Sequence, residues 1–170
     1  MGGYLVASDG SDLRRIRTDA WIEYPAFSPD GTRIAFMGQA DGDYEIFVAD
    51  VETGATRRLT DSPGSDGWPA WSPDGSTIAF VSERDDCGNA DRHTDCWNPG
   101  EAGVHHDIWV MNADGSEPRR VTPEFGHFVT WSPDGRHLLI SGFSLYVIRP
   151  DGTGRVDVAT RGGGIPDWVA

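Results

Sequence analysis

The chain has 170 residues, 27 of them acidic and 14 basic, for a formal net charge of −13. That balance excludes DNA or RNA as the expected partner, since neutralising phosphates needs clustered cationic side chains, and it favours a basic protein surface or a divalent cation. No run of about 18 apolar residues offers a membrane-spanning helix, and 22 Gly, 11 Pro and 11% aromatics suit short strands joined by tight turns.

Taken in order, Tyr4-Leu5-Val6-Ala7, a turn at Asp9-Gly10 and Leu13 to Ile16 read as a hairpin. The same hairpin recurs. Tyr4 to Ile16, Phe47 to Leu59, Trp109 to Val121 and Tyr146 to Val158 are each twelve positions apart. Three copies carry Asp-Gly at one offset (Asp9-Gly10, Asp114-Gly115, Asp151-Gly152), and the fourth, Glu52-Thr53-Gly54, moves its glycine by one. Asp and Gly tolerate positive φ, so these are turn positions. Three copies place paired arginines before the last apolar residue: Arg14-Arg15, Arg57-Arg58 and Arg119-Arg120.

Between the hairpins lies Ser-Pro-Asp-Gly, at Ser28 to Gly31, Ser72 to Gly75 and Ser132 to Gly135, each copy preceded by Phe27, Trp71 or Trp131. Proline suits the first central position of a turn and glycine its end. Each repeat therefore predicts four short strands, a to d, with Ser-Pro-Asp-Gly joining a to b and Asp-Gly joining c to d. The c strands are apolar runs around an aromatic, as in Ile46-Phe47-Val48 and Ile108-Trp109-Val110. Such runs fit strands covered on both faces. Four-stranded antiparallel units repeated in this way are propeller blades, so the expected fold is an all-β propeller. Trp71, Trp109 and Trp131 are expected to pack between neighbouring blades.

The run Pro-Ala-Trp-Ser-Pro-Asp-Gly from Pro69, then Ile-Ala-Phe-Val-Ser, then Asp-Ile-Trp-Val-Met-Asn-Ala-Asp-Gly-Ser and Arg-Arg-Val-Thr resembles the TolB-type, WD-like β-propeller repeat. Residues 69 to 122 match it almost throughout apart from an insertion, and the resemblance extends over nearly the whole chain. It divides the chain into strands c and d of one blade (4–18), three complete blades (24–60, 68–122, 127–160) and the first strand of another (165–170). Counting blades gives a fragment of a larger ring as the expectation, with a half-ring that pairs with a second copy or a small imperfect four-bladed closure as alternatives, and open end blades are expected to associate. The resemblance implies a protein partner among envelope proteins, such as peptidoglycan-associated lipoproteins, and a periplasmic or extracellular location. The N-terminus has neither the basic nor the apolar region of a signal peptide, so any leader is expected upstream.

In this strand order the a–b and c–d turns share one rim, and the b–c and d–a loops share the other, where function is expected. From the serine of the motif to the strand-c aromatic is 19 positions in the first blade, 14 in the third and 37 in the second. The second b–c connection, Glu83 to His106, thus carries an insertion of eighteen residues relative to the first. Its Asp85, Asp86, Asp91, His93, Asp95, His105 and His106 are candidate ligands for Ca²⁺ or Zn²⁺, although neither EF-hand spacing nor a Cys-x₂-Cys pair is present. Cys87 and Cys96 could close a small disulfide loop or remain thiols. Asp41, Asp43, Asp66, Trp97 and Glu101 are candidate partner contacts on this rim. Asp41-Gly42 is read as a hairpin turn and Glu45 as a solvated strand edge.

Enzyme signatures are missing: the sequence has no Gly-x-Ser-x-Gly elbow, no His-Glu-x-x-His, no phosphate loop and no dinucleotide fingerprint. The expected function is a non-catalytic binding scaffold. The alternatives are the gating or specificity propeller of a hydrolase and a carbohydrate-active site on the rim.

Overall fold

A computed structural model describes residues 2–18, 21–84, 106–159 and 168. Among these residues every regular element is a strand, and no helix is long and apolar enough to cross a membrane. A two-stranded sheet comes first, from β1 (Gly2–Leu5) and β2 (Arg14–Arg17). Three four-stranded antiparallel sheets follow, each with its strands in sequence order. The first contains β3 (Glu23–Phe27), β4 (Arg33–Ala40), β5 (Asp43–Asp50) and β6 (Thr56–Arg58). The second contains β7 (Asp66–Trp71), β8 (Thr77–Ser82), β9 (Asp107–Asn112) and β10 (Arg119–Thr122). The third contains β11 (Gly126–Trp131), β12 (Leu138–Gly142), β13 (Leu145–Ile148) and β14 (Val156–Ala159).

The Ser-Pro-Asp-Gly turn is built identically three times. Asp30 accepts from Ser28 Oγ at 2.6 Å and from the Thr32 amide at 3.0 Å, while Ser28 Oγ accepts from the Arg33 amide. Asp74 and Asp134 repeat the pattern with Ser72 and Ser132. These hydrogen bonds, led by that from Ser28, hold the Asp30 carboxyl down at about 2. The closing glycines, Gly31, Gly75 and Gly135, all sit at φ 70°, a region that side chains with a Cβ avoid.

The sheets pack face to face in chain order. Ile16 of β2 joins Ile34, Phe36 and Ala49 of the first sheet. Ala35, Ile46 and Val48 meet Trp71, Ile78, Phe80 and Met111 of the second. Ala79, Val81, Ile108, Val110 and Val121 meet Val129, Trp131, Leu138, Ile140 and Tyr146 of the third. Trp71 and Trp131 each cross to the preceding sheet. Trp71 Nε1 donates to the Ala26 carbonyl and Trp131 Nε1 to the Ala70 carbonyl, both at 3.1 Å. The acceptor is in each case the residue before the matching aromatic. Trp109 is only half-buried and lies beneath the Arg84 guanidinium, 4.4 Å from the ring centroid.

Arginines fasten the outer strands. Arg57 donates to the carbonyl of Asp114, and Arg119 to that of Pro150, each in the c–d turn of the next sheet. Among the described residues no contact joins the β1–β2 pair to the third sheet, so the arrangement is an open arc. Its ends expose apolar residues: Val158 is 58% exposed, whereas Val121, at the matching position inside the arc, is 7% exposed.

The position shared by Phe27, Trp71 and Trp131 gives a differential test. Phe27 is preceded only by the two-stranded β1–β2 sheet and is 53% exposed. Trp131→Ala is expected to destabilise by about 3–5 kcal/mol through cavity formation, and Phe27→Ala by less than about 1 kcal/mol. Urea unfolding of both variants checks the contrast, and equal losses would refute it.

Candidate functional site

Backbone hydrogen bonds sort the loops into two rims. The Val51 amide donates to the Thr32 carbonyl and the Ala113 amide to the Ser76 carbonyl, which puts the a–b and c–d turns together. On the opposite rim the Glu83 amide donates to the Ser65 carbonyl and the Gly126 amide to the His106 carbonyl, which ties b–c to d–a connections. The first rim repeats itself. The second is different in every sheet.

Charged side chains brace the second rim. Arg58 reaches Glu45 at 2.5 Å, Asp41 at 2.7 Å, Asp61 at 2.8 Å and the Thr60 carbonyl at 2.6 Å. Glu45 is 1% exposed, and Thr60 Oγ1 donates to its second oxygen at 2.6 Å. The expectation of a solvated Glu45 is therefore corrected: sheet two packs over β5, and the carboxylate lies beneath the Arg58 clasp. Burial pushes the Glu45 carboxyl up to about 7, the negative charge of Asp66 adds to this, and Thr60 and Arg58 oppose it. In the second sheet Arg84 pairs with Asp66 at 2.7 Å and Arg120 with Asp107 at 3.1 Å. Asp66 is fully buried, and that desolvation raises its carboxyl against the pull of Arg84. Asp66 thus braces the rim from inside, which corrects its reading as a partner contact. Asp41 is exposed and Asp43 half-buried.

Beside these braces lies a cluster of seven rings drawn from all three sheets. Tyr24 packs on Trp68 at 5.3 Å between ring centroids, and Trp68 packs on Phe128 at 6.1 Å. His106 stacks on Phe125 at 5.2 Å, and Phe125 meets both His127 and Phe143 at 4.4 Å. Trp68 and His106, 6.3 Å apart, join the two halves. Phe143 is 79% exposed and Tyr24 47%. His106 Nε2 lies 2.9 Å from the buried Glu83 carboxylate, while His106 Nδ1 and Trp68 Nε1 make no hydrogen bond among the described residues. Burial, helped by neighbouring His106, lowers the His127 pKa and favours its neutral form.

Local backbone geometry aims two of the rings. Tyr24 and Trp68 adopt φ of 47° and 51°, each just before a proline and within a β-bulge where β3 meets β4 and β7 meets β8. Positive φ is an outlier for an aromatic residue and persists only where surrounding structure imposes it. Sequence reasoning missed this cluster. Its signal was available: Tyr24, Trp68 and Phe128 all stand three positions before the inter-sheet aromatic.

Of the expected metal ligands only His106 is described, and it turns to Glu83. Asp85, Asp86, Asp91, His93, Asp95 and His105 lie outside the described residues, as do Cys87, Cys96, Trp97 and Glu101. Among the described residues no three His, Cys, Asp or Glu side chains are grouped to hold a metal ion.

Four-stranded antiparallel sheets stacked in chain order, with inner strands starting at one rim, define the class: a β-propeller, present as an open arc. Residues 16–91 match the TolB beta propeller domain family. A protein TolB homolog from Chlorobium luteolum is 42% identical over 55 residues, which are 32% of this chain and 13% of that protein. The tricorn protease homolog 1 of Streptomyces coelicolor is 40% identical over 58 residues, 34% of this chain and 5% of that protein. Among solved structures, a TolB from Agrobacterium tumefaciens aligns with a TM-score of 0.76 at 24% identity, over 97% of this chain and 60% of its own. Residues 16–91 thus carry repeats similar to those of the TolB beta propeller domain, and the chain spans less than two thirds of each of these relatives.

The Glu45 clasp gives a pH test. A folded-state pKa raised above the unfolded value near 4.5 contributes stability that is fully present below that value and is lost as pH rises through about 7. Asp66, also raised, acts in the same direction. The melting temperature is expected to fall between about pH 5 and about pH 8, and Glu45→Gln to flatten part of that slope. Calorimetric scans across this range check it, and an unaltered slope in the variant would refute it.

Proposed function

We propose that this chain is a non-catalytic scaffold that presents its b–c and d–a rim to a protein partner in the cell envelope. One observation carries the reading: the rim that differs from sheet to sheet also holds the exposed ring cluster, braced from beneath by buried ion pairs. Irregular loops held by a rigid β-framework are where recognition usually resides. The TolB resemblance supports an envelope protein as the partner class and a periplasmic or extracellular setting. Asp41 and Asp43, with Trp97 and Glu101 of the long b–c connection, belong to the proposed contact surface. Ca²⁺ or Zn²⁺ at the carboxylates and histidines between Glu83 and His106 remains part of the proposal at the level of composition alone.

A second reading rests on the tricorn protease homolog. Its matching repeats allow this propeller to serve as the specificity or gating part of a hydrolase whose catalytic groups lie elsewhere.

Two experiments address these readings. A photo-crosslinking residue placed at Phe143, on the variable rim, is expected to capture an envelope protein in native cells, and the same residue at Glu52, on the repeated rim, is expected to capture none. Equal capture from both rims would sink the scaffold reading, and crosslinks confined to a hydrolase domain would favour the second. An oxidising compartment also goes with a Cys87–Cys96 bridge. Thiol labelling of unfolded, unreduced protein is expected to modify neither cysteine, and labelling of both would exclude the bridge.

A further inference from the structure

Arginine stacking on aromatic rings recurs inside this protein. Arg33 lies 4.6 Å from the Trp71 ring centroid, Arg84 4.4 Å from that of Trp109, and Arg155 4.1 Å from that of Tyr146. Among the described residues no guanidinium sits over Tyr24, Trp68, Phe128 or Phe143. Yet the electrostatic setting favours a cation there. Acidic residues adjoin the rings in sequence, at Glu23 beside Tyr24, Asp66 two before Trp68, Asp107 beside His106 and Glu124 beside Phe125, and the Glu83 carboxylate lies against His106 in space. The wider chain, at −13, adds to the same field. Aromatic faces carry negative quadrupole charge, so rings with a carboxylate surround attract Arg or Lys and disfavour acidic groups.

The cluster is also shaped for an extended occupant rather than a compact ion. Its rings run from Tyr24 on the first sheet through Trp68 to Phe128 and Phe143 on the third, with exposed rings at both ends. We propose that this ring row docks an extended cationic segment of a partner protein, with an arginine side chain seated over the exposed face of the cluster. This names the partner chemistry of the rim reading and rests on it.

The test uses Gly-Ser peptides of one length carrying several Arg, several Lys or several Glu, titrated calorimetrically against the full chain. Affinity is expected to fall in the order Arg, Lys, Glu, with the Glu peptide showing none, and to weaken as salt rises from about 20 to about 300 mM. Phe143→Ala removes an exposed ring without touching the core and is expected to weaken the Arg peptide about fivefold; Trp68→Ala, checked for folding by its melting curve, about tenfold. Phe143→Arg supplies the cation from within and is expected to abolish binding. Glu52→Gln on the opposite rim removes one charge and is expected to change nothing beyond about 1.5-fold. Binding of the Glu peptide as tight as that of the Arg peptide, or an Arg-peptide affinity indifferent to Phe143→Ala and Phe143→Arg, overturns the inference. If the crosslink from Phe143 to an envelope protein is still obtained, the rim reading survives that result. If both fail, both readings fall.

Discussion

Everything in this arc depends on how one sheet covers the next. A four-stranded sheet has two apolar faces, and neither can be left in water at the scale of Ile78, Phe80, Ile108 and Ile140, all of which are fully buried. The solution is reciprocal. Each sheet is both the lid of the one before and the base of the one after, and the indoles of Trp71 and Trp131 lie in these seams. Their N–H groups then need acceptors, because a buried unpaired donor costs more than the bond contributes. The carbonyls of Ala26 and Ala70 meet that need, and in doing so fix the register of one inner strand against the next.

With the seams fixed, the rims become a consequence of strand parity. Four antiparallel strands return the chain to the rim where it began, so the repeated a–b and c–d turns gather on one side and the b–c and d–a connections, short or long, on the other. The tight turns satisfy their own polar groups through Asp30, Asp74 and Asp134. The long connections cannot do so locally, and the protein uses buried ion pairs instead. Arg58 and Arg84 draw loop and strand together over Glu45 and Asp66. The desolvation of those carboxylates is sustainable only because each guanidinium also satisfies main-chain or hydroxyl partners. The rings of the cluster therefore stand on a rigid floor.

The strands and turns were legible because they repeat: the twelve-residue hairpin and the Ser-Pro-Asp-Gly turn fix a register that any one copy would leave ambiguous. The ends of the inner strands were harder to place. β3, β7 and β11 start two or three residues before the apolar runs, since bulges at Glu23, Gly67 and Gly126 admit polar or glycine residues into pairing. Glu45 was read as solvated because a charged residue at a strand start is usually so; its burial comes from the neighbouring sheet, which local pattern does not encode. Asp66 was misjudged for the same reason. The ring cluster combines positions that are distant in sequence, Tyr24 and Phe143 among them, so only the curvature of the arc brings them together.

The outer fastenings have an evolutionary consequence. Arg57 and Arg119 grip the main chain of the following turn, at Asp114 and Pro150, and a carbonyl is the same whatever side chain stands behind it. A unit that recognises its neighbour in this way leaves the side chain at positions 114 and 150 free to vary, while the nearby glycines, Gly115 and Gly152, are held by the close approach of the Leu59 and Val121 carbonyls. Drift at the gripped positions therefore needs no matched change in the preceding sheet, and drift at the glycines does.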